Sequence, residues 1–150
     1  MPQSIAAILV HVIFSTKNRE PFIQPEIEHE LFPYMSRTCQ SANSPALIIN
    51  GTMDHVHLLV NLGRKTAIAD LVEELKSSSS GWIKSKGPNY KKFYWQAGYG
   101  AFSIGQSSLV ALKEYIATQK EHHRVKTFQE EYREFLKRYE MAYDERYVWD

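Results

Sequence analysis

Residues 54–62, "DHVHLLVNL", constrain this chain more than any other stretch. In a β-strand alternate side chains share a face. Val56, Leu58, Val60 and Leu62 therefore line one side, and His55, His57, Leu59 and Asn61 the other. The first side is apolar without a break and reads as the core face. Both imidazoles then leave the opposite face, about 6.5–7 Å apart along the strand. Two rings so placed can converge on one divalent cation, with a third ligand from elsewhere in the fold. A hydrogen-bonded histidine pair with no metal fits the same pattern.

The rest of the chain reads as an alternation of strands and helices. "IAAILVHVIF" (5–14) is aliphatic on both faces, as in a buried strand. Residues 26–43 place Ile27, Leu31, Tyr34, Met35 and Thr38 at helical spacing, with Pro25 near the helix start. "SPALIINGT" (44–52) is a second strand, close enough to 54–62 to form a hairpin. Residues 66–86 form a second helix on the stripe Ile68, Leu71, Val72 and Leu75. "KKFYWQAGYGAFSIG" (91–105) reads as a short aromatic strand followed by a glycine-punctuated loop, and residues 108–122 and 127–140 as further helices. The order β-α-β-β-α-β followed by helices predicts an α+β sandwich of the ferredoxin-like, split βαβ type. No internal repeat or linker divides residues 1–150, so a single domain is expected.

Composition narrows the functional classes. The one cysteine, Cys39, rules out a disulfide framework and a cysteine zinc site. The first residues lack a signal-peptide pattern and the apolar run is too short to span a bilayer, so a cytoplasmic protein without membrane contact is expected. The net charge of +1 is uninformative, but its distribution is not. Residues 1–126 carry a net +4 (14 basic, 10 acidic) and residues 127–150 a net −3 (4 basic, 7 acidic). "KSKGPNYKK" (84–92) holds four lysines and no acid. Lys84, Lys86, Lys91 and Lys92, with Lys17 and Arg19, are candidate phosphate contacts, and Trp82, Tyr90 and Trp95 candidate stacking platforms for unpaired bases.

Zinc hydrolases with a His-x-His pair need further ligands, on a barrel of about 250 residues that this chain cannot build. Phosphoesterases with two His-x-Ser/Thr motifs are excluded, since neither His55 nor His57 has Ser or Thr two positions on. In "LKEYIATQKEHH" (112–123), Tyr115 and Gln119 lie four residues apart, on one helix face. A phenol is a poor nucleophile near neutrality, with a pKa of about 10, but attack on a phosphate polarised by a cation is feasible. Gln119 offers a carbonyl oxygen as a third ligand. On helix position alone the simpler reading leads: Tyr115 beside Ile116 caps the core with its hydroxyl hydrogen-bonded.

The set as a whole resembles the HUH single-tyrosine transposases, the small insertion-sequence enzymes and the REP-associated tyrosine transposases. The likeness runs over "VHVIFSTKNREPFI" (10–23), "MDHVHLLV" (53–60), "YWQAGYGAFSI" (94–104), "YIATQKEHH" (115–123), and then "EEYREFL" and "YDERYVWD" near the end. It implies that His55, His57 and Gln119 hold a divalent magnesium or manganese ion and that Tyr115 is the nucleophile. It implies single-stranded DNA marked by hairpins as substrate, cut through a 5′-phosphotyrosine and rejoined by a 3′-OH. It also implies a homodimer, in which Tyr115 serves the histidines of its own or of the other subunit. His11, on a neighbouring strand, is a candidate to orient a ligand; His122, a turn beyond Gln119, reads as a solvated helix end, with approach to the site as the alternative. A non-catalytic nucleic-acid-binding module and a metal-dependent hydrolytic nuclease are the competing readings.

Overall fold

The computed structural model describes residues 2–150. Four strands, β1 (Leu9–Ser15), β2 (Ala46–Gly51), β3 (His55–Asn61) and β4 (Gly100–Ser103), form one antiparallel sheet in the order β2-β3-β1-β4. Helix α1 (Pro25–Ser41) connects β1 to β2, and α2 (Ile68–Lys84) connects β3 to β4. This is the expected split βαβ arrangement, with β3 inserted between β1 and β2. Three helices follow: α3 (Leu109–Ala117), α4 (Gln119–His122) and α5 (Phe128–Arg138).

The sheet is buried on both sides, and the parity of β3 decides what lies on each. Val56, Leu58 and Val60 join Val10, Val12 and Phe14 of β1 in the larger core, against Ile27, Leu31 and Met35 of α1 and Leu71 and Leu75 of α2. On the reverse face Ile13 meets Phe102 of β4 and an aromatic layer from α5: Phe128, Tyr132 and Phe135, with Leu136. Helix α5 carries its own start and stop signals. The Thr127 hydroxyl accepts from the Glu130 amide at 3.2 Å, with acids in the first turn and Lys137 and Arg138 in the last.

Three expectations need correction. The first strand begins at Leu9 rather than residue 5: its partner β3 ends at Asn61 opposite Leu9, and beyond it the backbone pairing closes with the Ile8 carbonyl accepting from Leu62 N at 2.8 Å. In 91–105 the order is reversed: the glycine-punctuated part forms β4, and the aromatic part is a loop with a single bridge, Thr16 to Trp95. Phe93 and Trp95 are drawn into the larger core instead, where the Trp95 indole donates to Ser79 Oγ at 2.9 Å. Gly100 suits the strand because a Cβ there would lie 2.7 Å from the Tyr132 ring of α5.

The expected helix over 108–122 is broken at Thr118, between α3 and α4. Asn50 of β2 supplies the reason. Its side-chain amide donates to the Ile116 and Ala117 carbonyls at 2.9 and 3.1 Å, satisfying groups that a continuing helix would have to serve. The Thr118 hydroxyl also donates back to Glu114 O at 3.0 Å, a pattern that bends helices.

Two glycines give a test of this packing. A Cβ on Gly51, at the β2–β3 hairpin, would lie 2.2 Å from the His55 carbonyl oxygen, whereas exposed Gly81 in α2 has nothing within 4 Å. Gly51→Ala is expected to lower stability by about 1–3 kcal/mol. Gly81→Ala is expected to raise it by roughly 1 kcal/mol. Urea unfolding of the two variants measures both.

Candidate active site

Strand β3 delivers His55 and His57 to the reverse face of the sheet, as parity requires. That face is not open: α5 lies over it and both rings are fully buried. The Nε2 of His57 is 2.9 Å from Glu131 Oε1, and the Nε2 of His55 is 3.6 Å from the same oxygen. Gln119, at the start of α4 and fully buried, brings its Oε1 to 3.4 Å from His55 Nε2. The Tyr115 hydroxyl, from the last turn of α3, donates to Glu131 Oε2. The four predicted residues therefore meet in one place within one chain.

The outer nitrogens of both imidazoles are held. His55 Nδ1 donates to Asp54 Oδ1 at 2.7 Å, with Thr52 Oγ1 at 2.9 Å. Burial raises the Asp54 carboxyl, but the hydrogen bonds from His55 and Thr52 outweigh it and hold the group below its ordinary value. His57 Nδ1 lies 2.8 Å from His11 Nε2, and the two rings stack at 5.1 Å. His11 thus stands where an orienting residue is expected. Because His57 Nε2 donates to Glu131, its Nδ1 accepts from His11; with Nε2 turned to a cation instead, the same contact would run the other way, with His11 accepting.

These contacts bear on whether the site suits a cation. With Nδ1 held by Asp54, the Nε2 of His55 turns inward, where the tautomer protonated at Nδ1 offers a lone pair. There it faces two further acceptors, Gln119 Oε1 and Glu131 Oε1. Three electron donors aimed at one small volume repel one another unless a cation lies among them, and imidazoles fixed through their second nitrogen are the usual partners of a metal. Ligand atoms of His55, His57, His123 and Glu131 all fall within 4.8 Å of one another. The residues present fit a divalent ion.

Two members of this cluster escaped the sequence reading. Glu131 is 1% exposed, and its stripe on α5 (Phe128, Tyr132, Phe135, Leu136) is otherwise apolar. An acid at i+3 within such a stripe was the available signal. His123, not His122, enters the cluster: its Nε2 is 3.2 Å from Glu131 Oε1 and its ring 4.3 Å from that of His55. His122 stacks on Tyr115 at 4.5 Å and bonds to Thr118 Oγ1 instead.

The charges interlock. Burial raises the Glu131 carboxyl, yet His123 and His57 against it outweigh that cost and hold it far below the carboxylate range. Burial, with the charge of Glu131, pushes the Tyr115 phenol well above its ordinary value. The tyrosine waits protonated.

The basic candidates lie elsewhere. Lys17 and Lys84 flank the exposed ring of Tyr94, at 5.9 and 4.2 Å from its centre. Lys86 lies over Trp82 at 4.4 Å and pairs with Glu30 at 3.2 Å, while Arg19 lies 5.9 Å from the Trp149 ring. Lys91 and Lys92 are exposed. Of the expected stacking residues, Trp95 is buried, and Trp82 and Tyr90 are partly buried against the larger core. Tyr94, which the sequence reading passed over, is the exposed aromatic of this group.

Residues 4–119 match the family model described as "Transposase IS200 like". The chain belongs to this family. It is a single-strand DNA transposase, an enzyme that cleaves and rejoins DNA. The transposases of insertion sequence element IS200 from Salmonella typhimurium and Salmonella typhi are each 24% identical to it over 122 residues, covering 77% of this chain and 78% of theirs. Among solved structures, a candidate transposase from Deinococcus radiodurans R1 aligns with a TM-score of 0.62 at 21% identity, over 79% of this chain and 98% of that one. A REP-associated tyrosine transposase bound to a REP hairpin aligns at 0.60 and 11% identity, over 82% of this chain and 72% of that one. Both show the same fold. The family match stops at Gln119, so His123 and Glu131 of this transposase lie beyond it.

Buried His57 generates a pH dependence. Burial outweighs its hydrogen bond to Glu131 and lowers its pKa from 6.5 to about 4. Between those values the unfolded chain binds a proton that the folded protein refuses, so stability falls as pH drops through that window. The metal-free transposase is expected to lose up to roughly 3 kcal/mol from this group between pH 6.5 and 4. Urea midpoints in chelator measure the slope, and His57→Gln is expected to flatten it.

Proposed function

We propose that Tyr115 is the nucleophile of this transposase and that His55, His57, Gln119 and Glu131 hold the divalent ion, magnesium or manganese, beside it. One observation carries the reading: the Tyr115 hydroxyl bonds to one oxygen of Glu131 while the other oxygen touches His57. Nucleophile and ligand set share a carboxylate. A divalent ion bound there supplies positive charge against the charge that builds on the scissile phosphate.

The side chains account for the remaining chemistry. The Tyr115 proton points at Glu131, which leaves the oxygen lone pairs free to face a phosphorus atom. As the new O–P bond forms, that proton passes along the hydrogen bond to Glu131, and the bond from phosphorus to the 3′-oxygen breaks, the departing oxygen taking its proton from solvent water. A 5′-phosphotyrosine and a free 3′-OH result. The phosphodiester is conserved in the adduct, so a later 3′-OH can reverse the step on another strand without a nucleotide cofactor. His11 and Asp54 keep the imidazoles turned inward throughout.

The DNA is a single strand marked by a hairpin, as in the REP-hairpin complex of the structural relative. Lys17 and Lys84 beside Tyr94 form a small cationic platform for it, and Lys86, Lys91, Lys92 and Arg19 are further candidate phosphate contacts. We place the enzyme in the cytoplasm, where such DNA is reached; no helix among the described residues is long and apolar enough to cross a membrane.

The test is a hairpin oligonucleotide labelled downstream of the cut, incubated with protein and manganese. A protein-linked label is expected from the wild type, with a loss of about a thousandfold or more in Tyr115→Phe, on the scale of removing a covalent nucleophile. A free 5′-phosphate with no linked label would mean a hydrolytic nuclease instead.

Because Tyr115 and His57 of one chain lie with ring centres 6.0 Å apart, we further propose that each site works in cis. A homodimer would then hold two DNA ends rather than complete either site. Mixing Tyr115→Phe with His57→Ala protein is expected to restore no adduct. Restored adduct formation in the mixture overturns the cis assignment.

A further inference from the structure

The ring of Tyr115 stands between two spaces. One is the histidine and Glu131 cluster. The other is a cavity of about 760 Å³ between α3, α5 and the segment after β4, for which the chemistry above has no use. Its volume is in the range of small-molecule sites. Its walls include Ala111 and Leu112 of α3, Phe135 of α5 and Tyr139 just beyond it. Phe102 stacks on both aromatic rings with interplanar angles of 19°, so the wall is a flat, backed aromatic surface.

The charge at the rim is positive. Lys126 and Glu134 neutralise each other at 2.6 Å. Arg138 is exposed, lies over the Phe135 ring at 5.5 Å and has no carboxylate partner among the described residues. A flat apolar wall with an unpaired guanidinium beside it matches one base inward, with the next phosphate along the strand, 3′ of that base, at the rim. Direct continuity with Tyr115 says which nucleotide. Attack at the 5′ side of a residue leaves that residue attached to the tyrosine oxygen through its own phosphate, next to the cavity mouth.

We propose that this cavity holds the base of the nucleotide immediately 3′ of the cut, the one carried on Tyr115 in the covalent intermediate. This rests on the reading of Tyr115 as nucleophile. Holding that base keeps the attached strand in place after the 3′-OH end has departed, and stacking of one base contributes about 1–3 kcal/mol.

The probe is a 5′-phosphorylated single-stranded hexanucleotide whose first base is 2-aminopurine, mixed with Tyr115→Phe protein and magnesium. No adduct can form at residue 115 of that protein, so base capture is read apart from catalysis. Stacking against the aromatic wall is expected to quench the fluorescence several-fold, with little quenching when 2-aminopurine is the fourth base. Adding Ala111→Phe, at an exposed position where the larger side chain enters only the cavity, is expected to abolish the quench. Arg138→Ala, also exposed, is expected to weaken binding about tenfold. No quench at the first base, equal quench at the fourth, or quench that survives Ala111→Phe overturns the proposal. If wild-type protein forms no adduct with hairpin DNA, the nucleophile assignment fails; an adduct without base quenching removes the pocket alone.

Discussion

The carboxylate of Glu131 is buried beneath α5, and it stays ionised there because His57, His123 and the Tyr115 hydroxyl surround it. An unpaired charge at that depth would cost several kcal/mol. The partners are therefore a condition of α5 lying on the sheet at all. In return α5 brings Phe128, Tyr132 and Phe135 onto a face that would otherwise show histidines to water. One ionic contact thus joins the packing of the second layer to the geometry of the site.

The two halves of the site differ in how they are held. The histidines sit on β3, hydrogen-bonded to strands on both sides, with His11 on the neighbouring β1. Tyr115 and Gln119 come from helical segments separated by a break at Thr118 and tied to β2 through Asn50. Side-chain hydrogen bonds hold the helical half; a full ladder holds the other.

Local pattern was enough to find His55 and His57, since strand parity depends only on the spacing of neighbours. Tyr115 and Gln119 were legible through helical spacing and the family likeness. Glu131 was not, although its place in an apolar stripe was visible, because an acid in a charged helix looks solvated until the sheet beneath it is known. Of the two adjacent histidines the sequence pointed to His122, whereas His123 enters the site, since the break at Thr118 turns α4. That break is fixed by Asn50, far away in the chain, and the mid-helix Thr118 is its one local signal. The aromatic loop was misread as a strand for a related reason: Phe93 and Trp95 serve the core under α2, while the real edge strand needs Gly100 to admit Tyr132.

The sheet separates two cores that share only its backbone. The larger, under α1 and α2, is continuous and apolar throughout; the smaller, under α5, is aromatic and polar-linked. Such layers open as distinct cooperative units, with the less densely apolar one opening at lower free energy. The α5 layer is therefore the unit expected to open first, while the histidine-bearing sheet keeps its shape. On our reading of the site, a nucleic acid then reaches the histidines at the cost of one layer rather than of the whole fold.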